Sequence, residues 1–282
     1  MSVDGDIQEK GKYPTPTKEE ESVPEFVESL GQIYDKYKDQ GVEGIALSLP
    51  GLIDAENGII RNGGGIKYLK DAHLAELLGA RCDGVKISME NDGKCAALAE
   101  VWMGNAKGCK NAMVIAIGTG LGLGVMVDGR LLKGKSGLGA EAHFGIARGK
   151  VRRCSCGNWD CYEVYASGTA LGVDAQEAYH DKSKTSHDII AGIQAGDKKA
   201  REVFDLWQDD VLTGIVGLAN LFDPEVVLMF GGLTDYLDYE RLEKEANSRI
   251  VTAPFKLCRA RFEHNAALIG AALIALHNLE VK

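Results

Sequence analysis

His143, Cys154, Cys156 and Cys161 stand at the spacing His-x10-Cys-x-Cys-x4-Cys. One imidazole and three thiolates complete a tetrahedral zinc shell and leave no position open for water. Such a site is structural rather than hydrolytic. Arg152 and Arg153 precede the first cysteine and favour its thiolate. The alternative is a loop carrying free thiols.

A second candidate is "IGTGLGLG", residues 117–124. Gly118, Gly120, Gly122 and Gly124 let successive backbone N–H groups converge on an anion, and Thr119 adds a hydroxyl. No helix follows, so this is neither a Walker loop nor a dinucleotide fingerprint. A tight hairpin with small packing residues reads equally well. In "MENDGKCAALAE" (Met89–Glu100), Asn91 and Asp92 sit at a strand-to-helix junction. Either could be an N-cap. A carboxylate placed there can also face a cleft and take a proton from a hydroxyl nucleophile. "VVLMFGGL" (Val226–Leu233) ends a strand on Gly231 and Gly232. The pair would admit a flat ligand such as adenine or ribose, or simply turn the chain.

The elements that must position these residues alternate. A helical stretch spans about Lys18–Gln40, with acidic first turns that suit the helix dipole. "GIALSLPG" (Gly44–Gly51) predicts a buried strand that ends at Pro50-Gly51. Gly84–Asp92 is a short strand, and Gly93–Gly104 a helix. Asn111–Leu132 reads as strand, glycine loop, strand, Asp-Gly turn, strand. A long amphipathic helix covers about Lys198–Leu221, and another helix lies near Asp238–Ile250. "CRARFE" is a last strand and His264–Leu279 a last, alanine-rich helix. Strands alternating with helices define an α/β class. At the start, Asp4-Gly5 is a hairpin-turn signal, and a strand can follow through "DIQEKGKYP".

The chain has 282 residues, 45% apolar and 26% charged, enough for two domains with substantial cores. Its net charge of -9 argues against broad nucleic-acid binding, which needs a basic surface. An anionic substrate in a local basic pocket stays open. No apolar run is long enough to span a bilayer, and the polar, acidic first residues do not form a signal peptide. Seven cysteines, an odd number, fit a reducing cytoplasm better than a disulfide framework.

Together the motifs resemble the ROK family of repressors, open reading frames and sugar kinases. The anchors are "SLPG", "ENDGKCAALAE", "IGTGLGLGVMVDGRL", "CSCGNWDCYEVYASG", "VVLMFGG" and "HNAALIGAA", in the family's order and across nearly the whole chain. The resemblance implies an actin-like ATPase (ribonuclease H-like) fold with two α/β domains around a cleft. The first would hold residues 1–107 with 268–282, and the second residues 108–267 with the zinc loop. It implies ATP-dependent phosphorylation of a hexose or related sugar, with Mg2+, structural Zn2+ and a homodimer. By resemblance Asp92 is the base. Asn91, Glu163, His143, Glu141, Pro50 and Gly51 are on the sugar side, and "RNGGGIKYL" (Arg61–Leu69) lines that pocket. Gly118, Thr119, Gly120, Gly231 and Gly232 are on the nucleotide side. His143, Cys154, Cys156 and Cys161 are the zinc ligands, stapling the loop that delivers His143 and Glu163.

Three departures from the family pattern stand out. The family glutamate lies three residues before the zinc histidine, but Glu141 lies two before His143. Asp160 replaces a glycine before the last cysteine, in what reads as an exposed, tolerant loop. No Asp-x-Gly-Gly-Thr phosphate loop is present, so the chain reads as starting midway through the family's first hairpin. On that reading the first domain lacks its opening hairpin, β pairing beside "GIALSLP" is lost, and the chain as given is a poor kinase. The second class of function is a non-catalytic sugar-binding or regulatory ROK protein. The acidic charge leaves no expectation of direct DNA contact.

Overall fold

The computed structural model describes residues 7–16, 22–262 and 265–276. The Asp4-Gly5 turn lies outside them. Residues 7–16 form no strand and are almost wholly exposed. Their lysines, Gly11, Pro14 and Pro16 are poor ladder formers, and among the described residues no strand runs beside them.

Helix α1 is Val23–Tyr37. The Glu25 carboxylate accepts the Ser22 N–H at 2.7 Å, a capping-box contact that fixes the start. Gly41, in the left-handed region, closes the short 3-10 turn that follows. Strand β1 (Gly44–Leu49) then leads through Pro50-Gly51 into a hairpin of β2 (Leu52–Asp54) and β3 (Ile59–Asn62). Helix α2 (Leu74–Arg81) packs on α1, and Arg81 pairs with Glu28 and Asp35, each at 2.7 Å.

Strand β4 (Lys86–Asn91) runs parallel to β1, from Gly44 opposite Lys86 to Leu49 opposite Asn91. The register brings the ends of both strands to one edge, so Pro50-Gly51 and Asn91-Asp92 meet. Carboxyl ends of parallel strands are where α/β folds bind ligands. Among the described residues β1 pairs with β4 alone. Leu49 of β1 is buried and its other residues are partly exposed, so the expected buried strand is only partly buried.

Helix α3 (Asp92–Met103) follows β4 without a loop. Strands β5 (Ala112–Ile117), β6 (Leu121–Val127) and β7 (Arg130–Leu131) form a meander. Asp128 and Gly129 both have positive φ, as a two-residue hairpin turn requires. Four helices come next: α4 (Glu163–Ala166), α5 (Gly168–Tyr179), α6 (Ser186–Gln194) and the long α7 (Lys198–Phe222). Strand β8 (Val226–Phe230), helix α8 (Tyr239–Arg249) and strand β9 (Lys256–Arg259) complete a five-stranded sheet of order β7-β6-β5-β8-β9. Strands β5, β8 and β9 are parallel. β9 starts two residues before "CRARFE" and stops at Arg259, where its pairing with β8 ends.

Two apolar groups anchor this arrangement. Phe204, Trp207, Val211, Leu212, Ile215 and Leu218 form one buried stripe of α7, against the inner face of the large sheet. Helix α9 (Ala266–Leu276) lies across α3, β1 and β4. Gly270 permits that crossing, because a Cβ there would collide with the Cys95 carbonyl. Among the described residues no helix is long and apolar enough to cross a membrane.

Candidate active site and metal centre

The β4–α3 junction separates two roles that share one sequence motif. Asn91 is the N-cap: its Oδ1 accepts the N–H groups of Gly93 (2.9 Å) and Lys94 (3.2 Å). Its Nδ2 donates to the Gly51 carbonyl at 3.0 Å, tying the two strand ends together. Gly51 has φ of 88°, and a Cβ there would strike the Asn62 carbonyl. Asp92 is therefore the first helical residue and is not needed as a cap. Burial raises its carboxyl above the ordinary Asp value, and N–H bonds from Gly93 and its own backbone only partly offset this.

The start of α3 sits directly on β6. A Cβ on Gly93 would lie 2.8 Å from the Leu123 nitrogen, and one on Gly124 would strike the Gly93 carbonyl. A Cβ on Gly122 would lie 3.7 Å from Asp92 Oδ1. Gly122 and Gly124 thus allow helix and strand to touch, and this places Asp92 beside the glycine loop.

That loop, Gly118–Gly120, is a tight turn in which the Gly118 N–H reaches the Gly120 carbonyl at 3.0 Å. Its other carbonyls are held by the start of α5. Gly168 N–H donates to Gly118 (2.8 Å), and the Thr169 hydroxyl donates to Thr119 (2.7 Å). Gly118 and Thr119 line a cavity of about 670 Å³. Its far wall comes from α6 and its approach, including Lys184, Thr185, His187 and Gln194, with Gly232 and Tyr236 closing the end. Gln194 donates to the Tyr236 hydroxyl at 2.9 Å. Gly231 has φ of 118° and packs against the Ile117 carbonyl, which its absent Cβ would strike. Gly232 therefore faces this cavity, while Gly231 makes the close approach of β8 to β5.

The metal candidates converge. The ligand atoms of His143, Cys154, Cys156 and Cys161 all lie within 4.8 Å of one another. His143 Nδ1 is 3.6 Å from Cys154 Sγ, and Cys156 Sγ is 3.5 Å from Cys161 Sγ. Ligands about 2.0–2.3 Å from a tetrahedral zinc ion are separated by roughly 3.3–3.8 Å. The donor set and the two shorter separations fit zinc.

Asp160 organises the same loop and is only 5% exposed, so it is not a tolerated surface change. Its carboxylate accepts the N–H groups of Lys150 (2.6 Å), Val151 (3.0 Å) and Arg152 (2.8 Å), and the Tyr165 hydroxyl (2.8 Å). Burial alone would raise this carboxyl, but the bonds from Arg152, Tyr165, Lys150 and Val151 hold it below the usual range. Its φ of 54° is the conformation that glycine favours and that Asp tolerates. Two residues on, Tyr162 is wholly buried and donates to the Val211 carbonyl of α7 at 2.9 Å. Gly214 makes room for its ring. The Cys161–Glu163 segment is thereby fixed on α7. Glu163 Oε2 accepts the Leu121 N–H at 3.1 Å.

Further charges surround Asp92. Burial pushes the Glu141 carboxyl up to about 7; Lys94 opposes this, and the negative charges of Asp92, Glu163 and Glu90 add to it. Glu141 Oε1 is 3.9 Å from the buried Lys94 ammonium. Glu141 is thus turned toward the Asp92 side, while His143 turns Nδ1 to the cysteines. Glu90 is buried and pairs with Lys133 at 2.8 Å. Gly64 of "RNGGGIKYL" lies against Pro50, while Arg61 of that segment is engaged with Asp54 at 2.7 Å. Pro50 itself is exposed. Lys133 and the α6 wall lie outside the quoted motifs, while Lys94 and Tyr162 lie inside "ENDGKCAALAE" and "CSCGNWDCYEVYASG" without a role read from them; a lysine inside an alanine-rich helical run is the visible signal.

This arrangement, with a short parallel pair feeding α3, a five-stranded mixed sheet and a returning C-terminal helix, is an actin-like ATPase fold. The ROK family model matches residues 1–278, and the chain belongs to the ROK family. It is 28% identical over 279 residues to an N-acetyl-D-glucosamine kinase of Vibrio cholerae serotype O1, covering 93% of this chain and 90% of that one. The crystal structure of a ROK hexokinase from Thermus thermophilus superposes with a TM-score of 0.82 at 32% identity, covering 96% of this chain and 91% of that one. A ROK family transcriptional regulator, a homolog of the E. coli MLC protein, superposes with a TM-score of 0.78 at 27% identity, covering 91% and 69%.

Proposed function

We propose that the chain is an ATP-dependent kinase acting on a hexose or related sugar, with Asp92 as the general base. The observation that carries this reading is the division of labour at the β4–α3 junction. Asn91 caps the helix, leaving the Asp92 carboxylate beside Gly122 and the glycine loop. A base in that place takes the proton of the sugar hydroxyl as its oxygen attacks the terminal phosphorus of ATP. The bond to the bridging oxygen breaks, and ADP leaves. Glu163 and Glu141 accept hydrogen bonds from other sugar hydroxyls, while Asn91 and Gly51 shape the floor. The 670 Å³ cavity, entered past Gly118 and Thr119, takes the nucleoside. Mg2+ on the ATP phosphates supplies charge neutralisation, the main electrostatic need of phosphoryl transfer. The kinase names of the Vibrio and Thermus relatives support the same reading.

In this reading His143, Cys154, Cys156 and Cys161 would hold zinc, which would stiffen the segment that ends at Glu163. One domain comprises residues 1–107 with 268–282, and the other residues 108–267. The lie of α9 on α3, β1 and β4 supports that division. A homodimer in the cytoplasm completes the proposal, and seven free thiols suit a reducing compartment.

The test is a coupled ADP-release assay with ATP, Mg2+ and a panel of hexoses and N-acetylhexosamines, beside calorimetry of the same sugars without ATP. Sugar-dependent ADP release supports the kinase. Sugar binding with no turnover would instead favour a non-catalytic sugar sensor, a role compatible with the regulator-like relative.

A further inference from the structure

Lys94 is fully buried at the third position of α3. A cation there is doubly disfavoured, by burial and by the positive end of the helix dipole. Something must hold it. Its Nζ donates to the Gly137 carbonyl at 3.1 Å and faces Glu141 Oε1 at 3.9 Å. Both partners belong to the irregular segment between β7 and the metal ligand His143. That segment closes on itself, because Gly139 N–H donates to the Lys133 carbonyl at 2.8 Å.

A second ammonium runs the opposite way. Lys133, from the same segment, pairs at 2.8 Å with Glu90 of β4, which is 1% exposed. The other oxygen of Glu90 accepts the Asn91 N–H at 2.9 Å. The two lysines therefore grip the backbone on either side of Asp92, one through Glu90 and one through α3.

We propose that Lys94 and Lys133 are positioning residues that latch segment 133–142 over the Asp92 end of the cleft and hold Glu141 in place for the substrate. The role of Glu141 toward a sugar rests on the kinase reading; the latch itself does not. Lys94 acts through Glu141 and the Gly137 carbonyl, so its loss should loosen substrate binding more than the chemical step.

Lys94→Met tests this, since it keeps the volume and removes the buried charge. Amide hydrogen exchange across residues 133–142 should quicken about tenfold or more, with exchange in β5 and β8 unchanged. Sugar KM should rise about tenfold, with kcat within roughly threefold of the unsubstituted protein. Adding Glu141→Gln to Lys94→Met should cost less than Glu141→Gln alone, because the two act as one unit. Unchanged exchange in 133–142 overturns the latch, and so does a loss confined to kcat. Should Lys94→Met fold poorly, the paired change Glu90→Gln with Lys133→Met removes both ends of the other contact. It must quicken the same amides or the proposal fails. If no sugar is phosphorylated by the unsubstituted protein, while 133–142 still loosens in Lys94→Met, the kinase reading falls and the latch stands.

Discussion

Glu163 Oε2 accepts the Leu121 N–H at 3.1 Å, so a residue placed by the metal loop also braces the strand that leaves the glycine loop. Cys161 lies two residues before Glu163, and Tyr162 between them is buried on α7. The metal loop and the glycine loop are thus mechanically joined through one carboxylate.

Glu163→Ala should therefore disturb both substrates. A hydrogen bond to a charged group contributes about 1.5–3 kcal/mol, so kcat/KM for the sugar should fall roughly 10–100-fold. The KM for ATP should rise as well, because Leu121 loses its brace. Steady-state kinetics with each substrate varied in turn checks this. An effect on sugar alone would mean that the Leu121 contact has no role in the nucleotide side.

Metal removal comes next. Protein purified without chelator should carry close to one zinc per chain. Cys156→Ser should lose metal and thermal stability together, because binding energy at such a site is folding energy. Elemental analysis with a melting curve reads both. Full stability without metal would contradict the structural role.

Asp160 gives a sharper test of the same loop. Asp160→Gly keeps the left-handed backbone but removes the acceptor of three N–H groups and the Tyr165 hydroxyl. Metal affinity should weaken roughly tenfold or more, in the range seen for groups that support ligands from behind. Asp160→Ala should be worse than Asp160→Gly, since its φ of 54° strains a Cβ. Zinc competition with a chromophoric chelator ranks the three proteins.

Much of the site was legible because its chemistry depends on residue type at fixed spacing. The His/Cys set, the glycine loop and Asn91-Asp92 all appear where the motifs put them. The long α7 was legible too, since its apolar stripe repeats at helical period over many turns. What was hidden depends on long-range packing. Strands β2 and β3 are too short for any period to show. The burial of Lys94 follows from partners more than forty positions away, at Gly137 and Glu141. The cavity wall on α6 is ordinary helix in sequence, and only the fold turns it toward Gly118. Asp160 read as a tolerated surface change because a lone carboxylate says nothing of the N–H groups around it. The partial exposure of β1 depends on what packs around it, which its own apolar run does not encode.

Asp92 carries the last prediction. Asn91 already caps α3, so Asp92→Asn leaves the cap intact and keeps the shape. Turnover should fall by about 10²–10⁴, with sugar affinity nearly unchanged, because an amide cannot take the hydroxyl proton. The raised carboxyl sets the sign of two pH effects. As a base it works only when ionised, so kcat/KM should rise with pH through a value above the ordinary Asp pKa of about 3.9. For stability the sign is opposite. The folded state favours the protonated acid, so that contribution is complete below the unfolded pKa and is lost as pH rises through the folded one. Asp92→Asn should thus melt higher than the unsubstituted protein at neutral pH, and the gap should close toward pH 4. A dead enzyme that is also more stable at neutral pH is the signature of a buried base. Equal turnover, or a variant less stable at neutral pH, would return Asp92 to an ordinary first-turn residue.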